Sequence, residues 1–247
     1  MIFVTGDCHG EYHRFSARAF PWQKEMDRMD LVIVAGDFGY WDRSPEQEYW
    51  LRWLEEKEFT IAFVDGNHEN YDLLAELPVE SWNGGKVQFI RENVIHLMRG
   101  QMYRIQGKRI FTFGGARSHD VRDGILERDD PELRKKVKAL EAAGALYRIN
   151  HLSWWKEEMP DRAEYEEGRL HMEENRWTCD YIISHCAPSS IQAVCSLGEF
   201  KPDELTTYLE EIRSKCHYRR WFFGHYHRDE QVDEKHCMLY HQIFRIE

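Results

Sequence analysis

The segment Ile2-Phe3-Val4-Thr5-Gly6-Asp7-Cys8-His9-Gly10 decides how the chain is read. A short β-branched and aromatic run reads as a buried strand, and it ends in a glycine-flanked turn with an aspartate and a histidine two residues apart. The same pattern recurs downstream. Leu31 to Ala35 runs into Gly36-Asp37, Ile61 to Val64 into Asp65-Gly66-Asn67-His68-Glu69, and Tyr181 to Ile183 into Ser184-His185, while a last strand-like run ends in Gly224-His225-Tyr226-His227. In open α/β sheets ligand sites collect beyond the carboxyl ends of the strands, and all five polar clusters fall there.

Helical segments alternate with these strands, as an α/β fold requires. Ser44-Pro45-Glu46-Gln47 supplies an N-cap, a proline at the first helical position and a capping-box glutamine, and the helix it opens is expected to place Tyr49, Trp50, Trp53 and Leu54 on one face. Pro202 is expected to open another, with Leu205, Tyr208, Leu209 and Ile212 at helical spacing. Val94 to Met98, Met102 to Gln106 and Arg109 to Phe113 read as strands of a second sheet, with Gly107 at a hairpin turn. From His119 to Cys179 the chain turns charge-dense and helix-favouring and reads as a helical insertion. One helix is expected to run from Asp129-Asp130-Pro131 to Ala143 and another from Asp161 to Asn175.

Composition narrows the function. The 247 residues suit one domain, or one domain carrying an insertion, and 42% hydrophobic with 31% charged residues is a globular balance. With 33 Lys+Arg against 44 Asp+Glu the net charge is −11, which argues against extended nucleic-acid contact or binding to an anionic membrane. The longest apolar stretches fall far short of the ~18 residues of a membrane-spanning helix. Met1 leads straight into a strand with no basic segment before it, so no signal peptide is expected. The six cysteines contain no Cys-x-x-Cys pair and read as reduced thiols, which gives a cytoplasmic expectation.

Order supplies the specificity that single motifs lack, because roughly one Asp-x-His is expected by chance in a chain of this composition. Alone, Asp7 or Asp37 could cap a turn and His185 could be a core histidine; five ordered motifs favour ligands. The donors are carboxylate, imidazole and amide, a set that suits Mn, Fe or Zn better than soft copper or all-oxygen calcium sites. Asp7 and His9 can converge on one ion, as can His225 and His227. Seven donors are too many for one tetrahedral ion and suit two octahedral ions sharing a bridge. Cys8 and Cys186 are expected to pack rather than ligate, and Trp154-Trp155 to anchor the insertion.

The motifs D-x-H, G-D, G-N-H-[ED], H and G-H-x-H, in order from Asp7 to His227, resemble those of calcineurin-like metallophosphoesterases. The resemblance implies a four-layer αββα sandwich of two mixed β-sheets. It would form a single domain over residues 1–247, with the helical insertion at about 119–179. It implies two divalent transition-metal ions, one held by Asp7, His9 and His227, the other by Asn67, His185 and His225, with Asp37 bridging them. A hydroxide shared by the metals would attack phosphorus in line. His68, hydrogen-bonded to Asp37 or Glu69, would protonate the leaving oxygen. The implied reaction is hydrolysis of a phosphate monoester or diester in a small molecule or nucleotide.

One branch of that family departs from this chain. Its protein serine/threonine phosphatases place Asp-Arg three and four residues after the G-D aspartate, whereas here Asp42-Arg43 lie five and six residues after Asp37 and Trp41 occupies the arginine position. Arg117, in the loop Gly114 to Asp120, is the alternative phosphate-binding candidate. Two other functions compete: a non-catalytic metal-binding scaffold of the same fold, and a nuclease. Retention of His68 and of every ligand position favours the enzyme. No membrane partner is expected, and the sequence leaves the oligomeric state open.

Overall fold

In β1 (Ile2–Thr5) the side chains of Ile2 and Val4 enter a core between two sheets, while Phe3 turns to the opposite face and packs among Tyr12, Phe15 and Phe20. This period-two alternation, repeated in each central strand, builds two stacked sheets with apolar outer faces that helices and loops cover. The result, in a computed structural model that describes residues 1–246, is a four-layer αββα sandwich. Among the described residues no helix is long and apolar enough to cross a membrane.

The first sheet contains β1, β2 (Leu31–Val34), β3 (Thr60–Phe63), β4 (Glu80–Trp82), β5 (Gly85–Arg91) and β6 (Val94–Leu97). The second takes up β7 (Gln101–Ile105) and β8 (Lys108–Phe113), and β9 (Ile125–Leu126) pairs with β10 (Arg148–Ile149) outside both. The chain then returns to the second sheet with β11 (Tyr181–Ser184), β12 (Arg220–Phe223), β13 (Glu230–Gln231) and β14 (His236–Met238) before β15 (Phe244–Ile246) closes the edge of the first. The strand orders are β15-β1-β2-β3-β6-β5-β4 and β13-β14-β12-β11-β8-β7. β1, β2, β3 and β6 run parallel in one sheet and β8, β11, β12 and β14 in the other. The five motif loops leave β1, β2, β3, β11 and β12, so both sheets deliver them to the carboxyl ends of parallel strands.

Several local expectations shift. Val94–Leu97 belongs to the first sheet, because the β5–β6 hairpin delivers it parallel to β3 in the register Ile61↔Val94. The β7–β8 turn is Gln106-Gly107, both at positive φ, as a tight hairpin requires. Ser44 caps α1 (Pro45–Glu55) by accepting from the Gln47 N–H. The capping box does not form, because Gln47 Oε1 accepts from the Trp41 N–H at 3.2 Å and the Ser44 N–H donates to Asp42. The buried face of α1 is Gln47, Leu51 and Leu54, and Tyr49 is exposed, so the aromatic stripe lies to one side of the true core face.

The segment expected as an insertion divides in two. After the short α2 (Tyr71–Ala75), α3 (Leu133–Ala142) buries no side chain and accompanies the β9–β10 pair outside the sandwich. By contrast α4 (Arg162–Glu174), capped reciprocally by Asp161 and Glu164, packs Tyr165 and Met172 into the outer core of the second sheet, with Tyr165 stacked on Phe113. It shares that layer with α5 (Ser189–Cys195) and α6 (Glu204–Lys215). Leu205, Tyr208, Leu209 and Ile212 of α6 are buried as expected, but the helix starts at Glu204 because Asp203, not Pro202, takes the cap with Thr206.

Arg99 ties the two halves together. It donates to Asp65 beyond β3 through Nε at 2.8 Å and Nη2 at 2.5 Å, and to Glu164 of α4 through Nη1 at 3.0 Å. Burial alone would raise the Asp65 pKa, but Arg99 and His96 overcome it and hold the carboxyl well below the usual range. A depressed carboxyl contributes stability above its unfolded pKa of about 3.9, and that stability is lost as pH falls through the folded value. Arg99→Ala leaves Asp65 buried and short of its partner. We expect it to lower stability at pH 7 by about 3–5 kcal/mol, read as the shift of a urea midpoint, with a shallower acid limb; an unchanged midpoint would refute the assignment.

Candidate metal centre

The loops after the parallel strands converge on one point. Asp7 is fully buried at the end of β1, its loop fixed by Arg14, which donates to Thr5 Oγ1, to the carbonyls of Gly6 and Tyr240, and to Asp7 O at 2.6 Å. The N–H groups of Cys8 and His9 donate to Asp37 O at 2.9 and 2.7 Å, locking the first loop to the second. Glu69, buried beneath, accepts from the N–H groups of Phe38, Gly39 and Tyr40 and so shapes the loop after Asp37. Two glycines admit the carboxylates: a Cβ at Gly66 would fall on Asp37, and one at Gly224 on Asp7. His9, Asp37, His225 and His227 all adopt positive φ. Such non-glycine conformations cost of order 1–3 kcal/mol each and persist where surrounding structure imposes them.

Two groups of donors meet at Asp37. One atom each from Asp7, His9, Asp37 and His227 lies within 4.8 Å of the others, with His227 Nε2 3.1 Å from Asp7 Oδ2 and His9 Nε2 3.7 Å from both Asp7 Oδ2 and Asp37 Oδ2. On the other side His185 Nε2 stands 3.5 Å from Asp37 Oδ2 and 3.1 Å from Asn67 Oδ1. The His225 ring lies edge-on to His185 at 5.0 Å between centroids, and the His225 main-chain N–H donates to Asp7. All seven residues singled out as ligands in the sequence are thus gathered at one place.

The donor set fits a cation. His185 Nδ1 donates to Ala35 O at 2.8 Å, which leaves Nε2 facing two oxygens, Asn67 Oδ1 and Asp37 Oδ2. A neutral ring there would oppose lone pair to lone pair; a shared cation, proton or metal, removes the conflict. Burial alone would lower the His185 pKa, but Asp37 and Asp7 push it up to about 10. Burial likewise disfavours the Asp37 and Asp7 carboxylates, yet the surrounding histidines win. Asp37 lies well below the usual range and Asp7 is lowered to about 2. His225, buried and beside His185, is lowered to about 3 and so offers a neutral imidazole.

Support comes from residues that the motifs do not reveal. Asn67 Nδ2 donates to Ser118 Oγ at 3.2 Å, and Ser118 donates through both N–H and Oγ to the buried Glu158. This chain turns the Asn67 amide so that its oxygen faces His185. Ser118 follows Arg117 directly. Arg117 itself is more than half exposed, pairs with Asp203 at 3.5 Å, and borders neither cavity beside the cluster. Cys8 and Cys186 pack in apolar clusters with their thiol pKa pushed up to about 12 by burial.

His68 stands at the rim, its ring 5.5 Å from that of His9. Its backbone is pinned twice, the N–H donating to Asp37 Oδ1 at 2.8 Å and the carbonyl accepting from Trp41 Nε1 at 2.8 Å. The expected ring bond to Asp37 or Glu69 does not form, since Asp37 Oδ1 takes the main-chain N–H and Glu69 is occupied by the loop amides. Burial lowers the His68 pKa, against the pull of Asp37.

Carboxylate and imidazole donors thus converge at the strand ends of an αββα sandwich, an arrangement able to hold divalent cations. The family model described as calcineurin-like phosphoesterase matches residues 1–229, and the chain belongs to that family. Among curated proteins it is similar to lariat debranching enzyme A of Xenopus laevis, 28% identical over 144 residues that make up 51% of this chain and 26% of the relative. The lariat debranching enzymes of Danio rerio and Homo sapiens are each 26% identical over 143 residues, covering 51% of this chain and 24% and 25% of theirs. The match thus spans about a quarter of the length of these relatives.

Proposed function

We propose that the chain is an active phosphodiesterase built around two divalent transition-metal ions (Mn, Fe or Zn). The observation that carries the diester reading is the cleft. Two cavities of about 370 and 340 Å³ that share no lining residue border the ligand cluster, one beside His9 and His68, the other beside His225 and His227. A monoester has one organic arm to place, and a diester has two. The similarity to proteins named for debranching lariats supports the same choice.

Asp7, His9 and His227 would hold one ion, Asn67, His185 and His225 the other, and Asp37 both. When bound, the two ions supply charge that activates water and neutralises the phosphoryl oxygens. The Ala35 carbonyl keeps His185 in its ligating tautomer, and the Glu158–Ser118 pair keeps the Asn67 oxygen turned inward. His68 would carry a proton to the departing oxygen. A phosphate beside its ring favours the imidazolium and opposes the burial penalty. Arg117 would approach substrate only from outside, as a surface contact on one of its arms. The functional unit would be a single domain over residues 1–247.

Stripping the protein with a chelator and reconstituting it with Mn(II), Fe(II) or Zn(II) tests this reading. Bound metal should approach two ions per chain, and bis(p-nitrophenyl) phosphate should be hydrolysed in preference to p-nitrophenyl phosphate. Preference for the monoester would overturn the diester assignment. A protein that neither retains metal nor hydrolyses either ester would overturn the enzyme.

A further inference from the structure

The cavity beside His68 differs in character from its counterpart beside His225. Its walls are His9, His68, Trp41, Arg148, Leu152, Ser153 and Trp155, and at about 370 Å³ it lies at the lower end of small-molecule sites, which run from about 300 to 1,000 Å³. Trp41 is held by its edge, Nε1 donating to His68 O, and a Cβ on Gly10 would touch the ring at 3.0 Å, so the indole rests on the first ligand loop. Although fixed in this way, it remains 43% exposed, and Leu152 in the same cavity is 56% exposed. Trp155 is buried, tied through Nε1 to Asp72 at 2.8 Å. A fixed, exposed indole and an exposed leucine thus share a cavity beside the ligand cluster whose remaining walls are largely polar.

Arg148 adds a charged group to the wall of this slot. Its Nε and Nη2 both donate to Asp120 Oδ2, which neutralises the guanidinium and fixes its plane, and Nη1 has no protein acceptor among the described residues. An ion-paired guanidinium with one uncommitted N–H group suits a heteroatom on a ring better than a second phosphate. In the other cavity the aromatic face is already used: His119 lies flat on Phe200, with centroids 3.8 Å apart and planes 4° from parallel. The uncovered aromatic surface is therefore on the His68 side.

We infer that the Trp41–Arg148 slot is a subsite for a planar aromatic ring of the nucleobase kind, carried on the arm of the diester that leaves past His68. This rests on the phosphodiesterase reading and adds the chemical class of one arm, with Trp41 stacking on the ring and Arg148 Nη1 donating to its edge.

The test uses the whole chain. Metal-free protein is titrated with adenosine and, as control, ribose, following tryptophan fluorescence and binding heat. Metal-loaded protein is then assayed on a dinucleoside monophosphate. Base–aromatic stacking strengthens binding by roughly 5- to 150-fold, so adenosine should bind that much more tightly than ribose. Trp41→Ala should abolish the difference and lower kcat/KM for the dinucleoside phosphate by a similar factor. Trp41→Phe, which keeps a ring, should retain most of both, and Arg148→Ala should weaken adenosine binding without changing metal content. Equal binding of adenosine and ribose, or undiminished discrimination in Trp41→Ala, would overturn the subsite while leaving the hydrolase intact. Failure to hydrolyse bis(p-nitrophenyl) phosphate as well would count against the hydrolase itself.

Discussion

Replacing Asp37 by asparagine is expected to remove hydrolysis and most bound metal together. Asp37 is the one residue that faces both donor groups, with Oδ2 3.7 Å from His9 and 3.5 Å from His185, and it is fully buried. An amide is close to isosteric but carries no charge, so on the proposed reading the two ions would lose a shared anionic ligand while the loop can keep its shape. Loss of the activated water costs on the order of 10⁴-fold or more in kcat/KM. Metal analysis by mass spectrometry, beside the rate on bis(p-nitrophenyl) phosphate, reads both effects. A variant with full metal content and a rate within tenfold of the parent would remove Asp37 from the shared position.

His68→Ala should separate the two readouts. His68 offers no atom to the cluster of Asp7, His9, Asp37 and His227, and its contacts with Asp37 and Trp41 run through its backbone, which alanine retains. Metal content should therefore be unchanged. The rate should fall by about 10²- to 10⁴-fold, the usual worth of a positioned acid. The loss should be greatest for alkoxide leaving groups and small for p-nitrophenolate, which departs without protonation. Equal losses on both kinds of ester would mean that His68 places substrate rather than transferring a proton.

Much of this architecture was legible in the chain because the informative residues are local. A buried strand, a glycine and a polar pair read directly from sequence, and β1, β2, β3 and β11 lie within a residue or so of the expected runs. The order of five such units carried the resemblance to a family, whose model matches the chain. The misses are long-range. That Val94–Leu97 pairs with β3 and not β7 depends on where a hairpin docks, and the charge of α4 hides the few buried residues, Tyr165 and Met172, that hold it to the sheet. Glu158 and Ser118 orient Asn67 from 91 and 51 residues away, a connection no local spacing encodes. Arg148 lies in a charge-dense stretch with no motif to mark it, whereas Arg117, one residue from Ser118, points away to Asp203. Residues that build a loop announce themselves by spacing; residues that brace it from a distant element do not.

The way the cluster is shared between sheets bears on when it can exist during synthesis. β1, β2 and β3 bring Asp7, His9, Asp37 and Asn67, but His185, His225 and His227 follow β11 and β12, and the last described strand, β15, pairs with the first. A nascent chain carrying only the first sheet's loops has Asp7 and Asp37 with His9 alone of the four candidate ligand histidines. Contacts of such sequence separation form slowly, since long loops must close before they are rewarded. The cluster of candidate ligands is therefore complete only late in translation, and a ribosome-bound fragment holding every motif but Gly224 to His227 would lack His225 and His227.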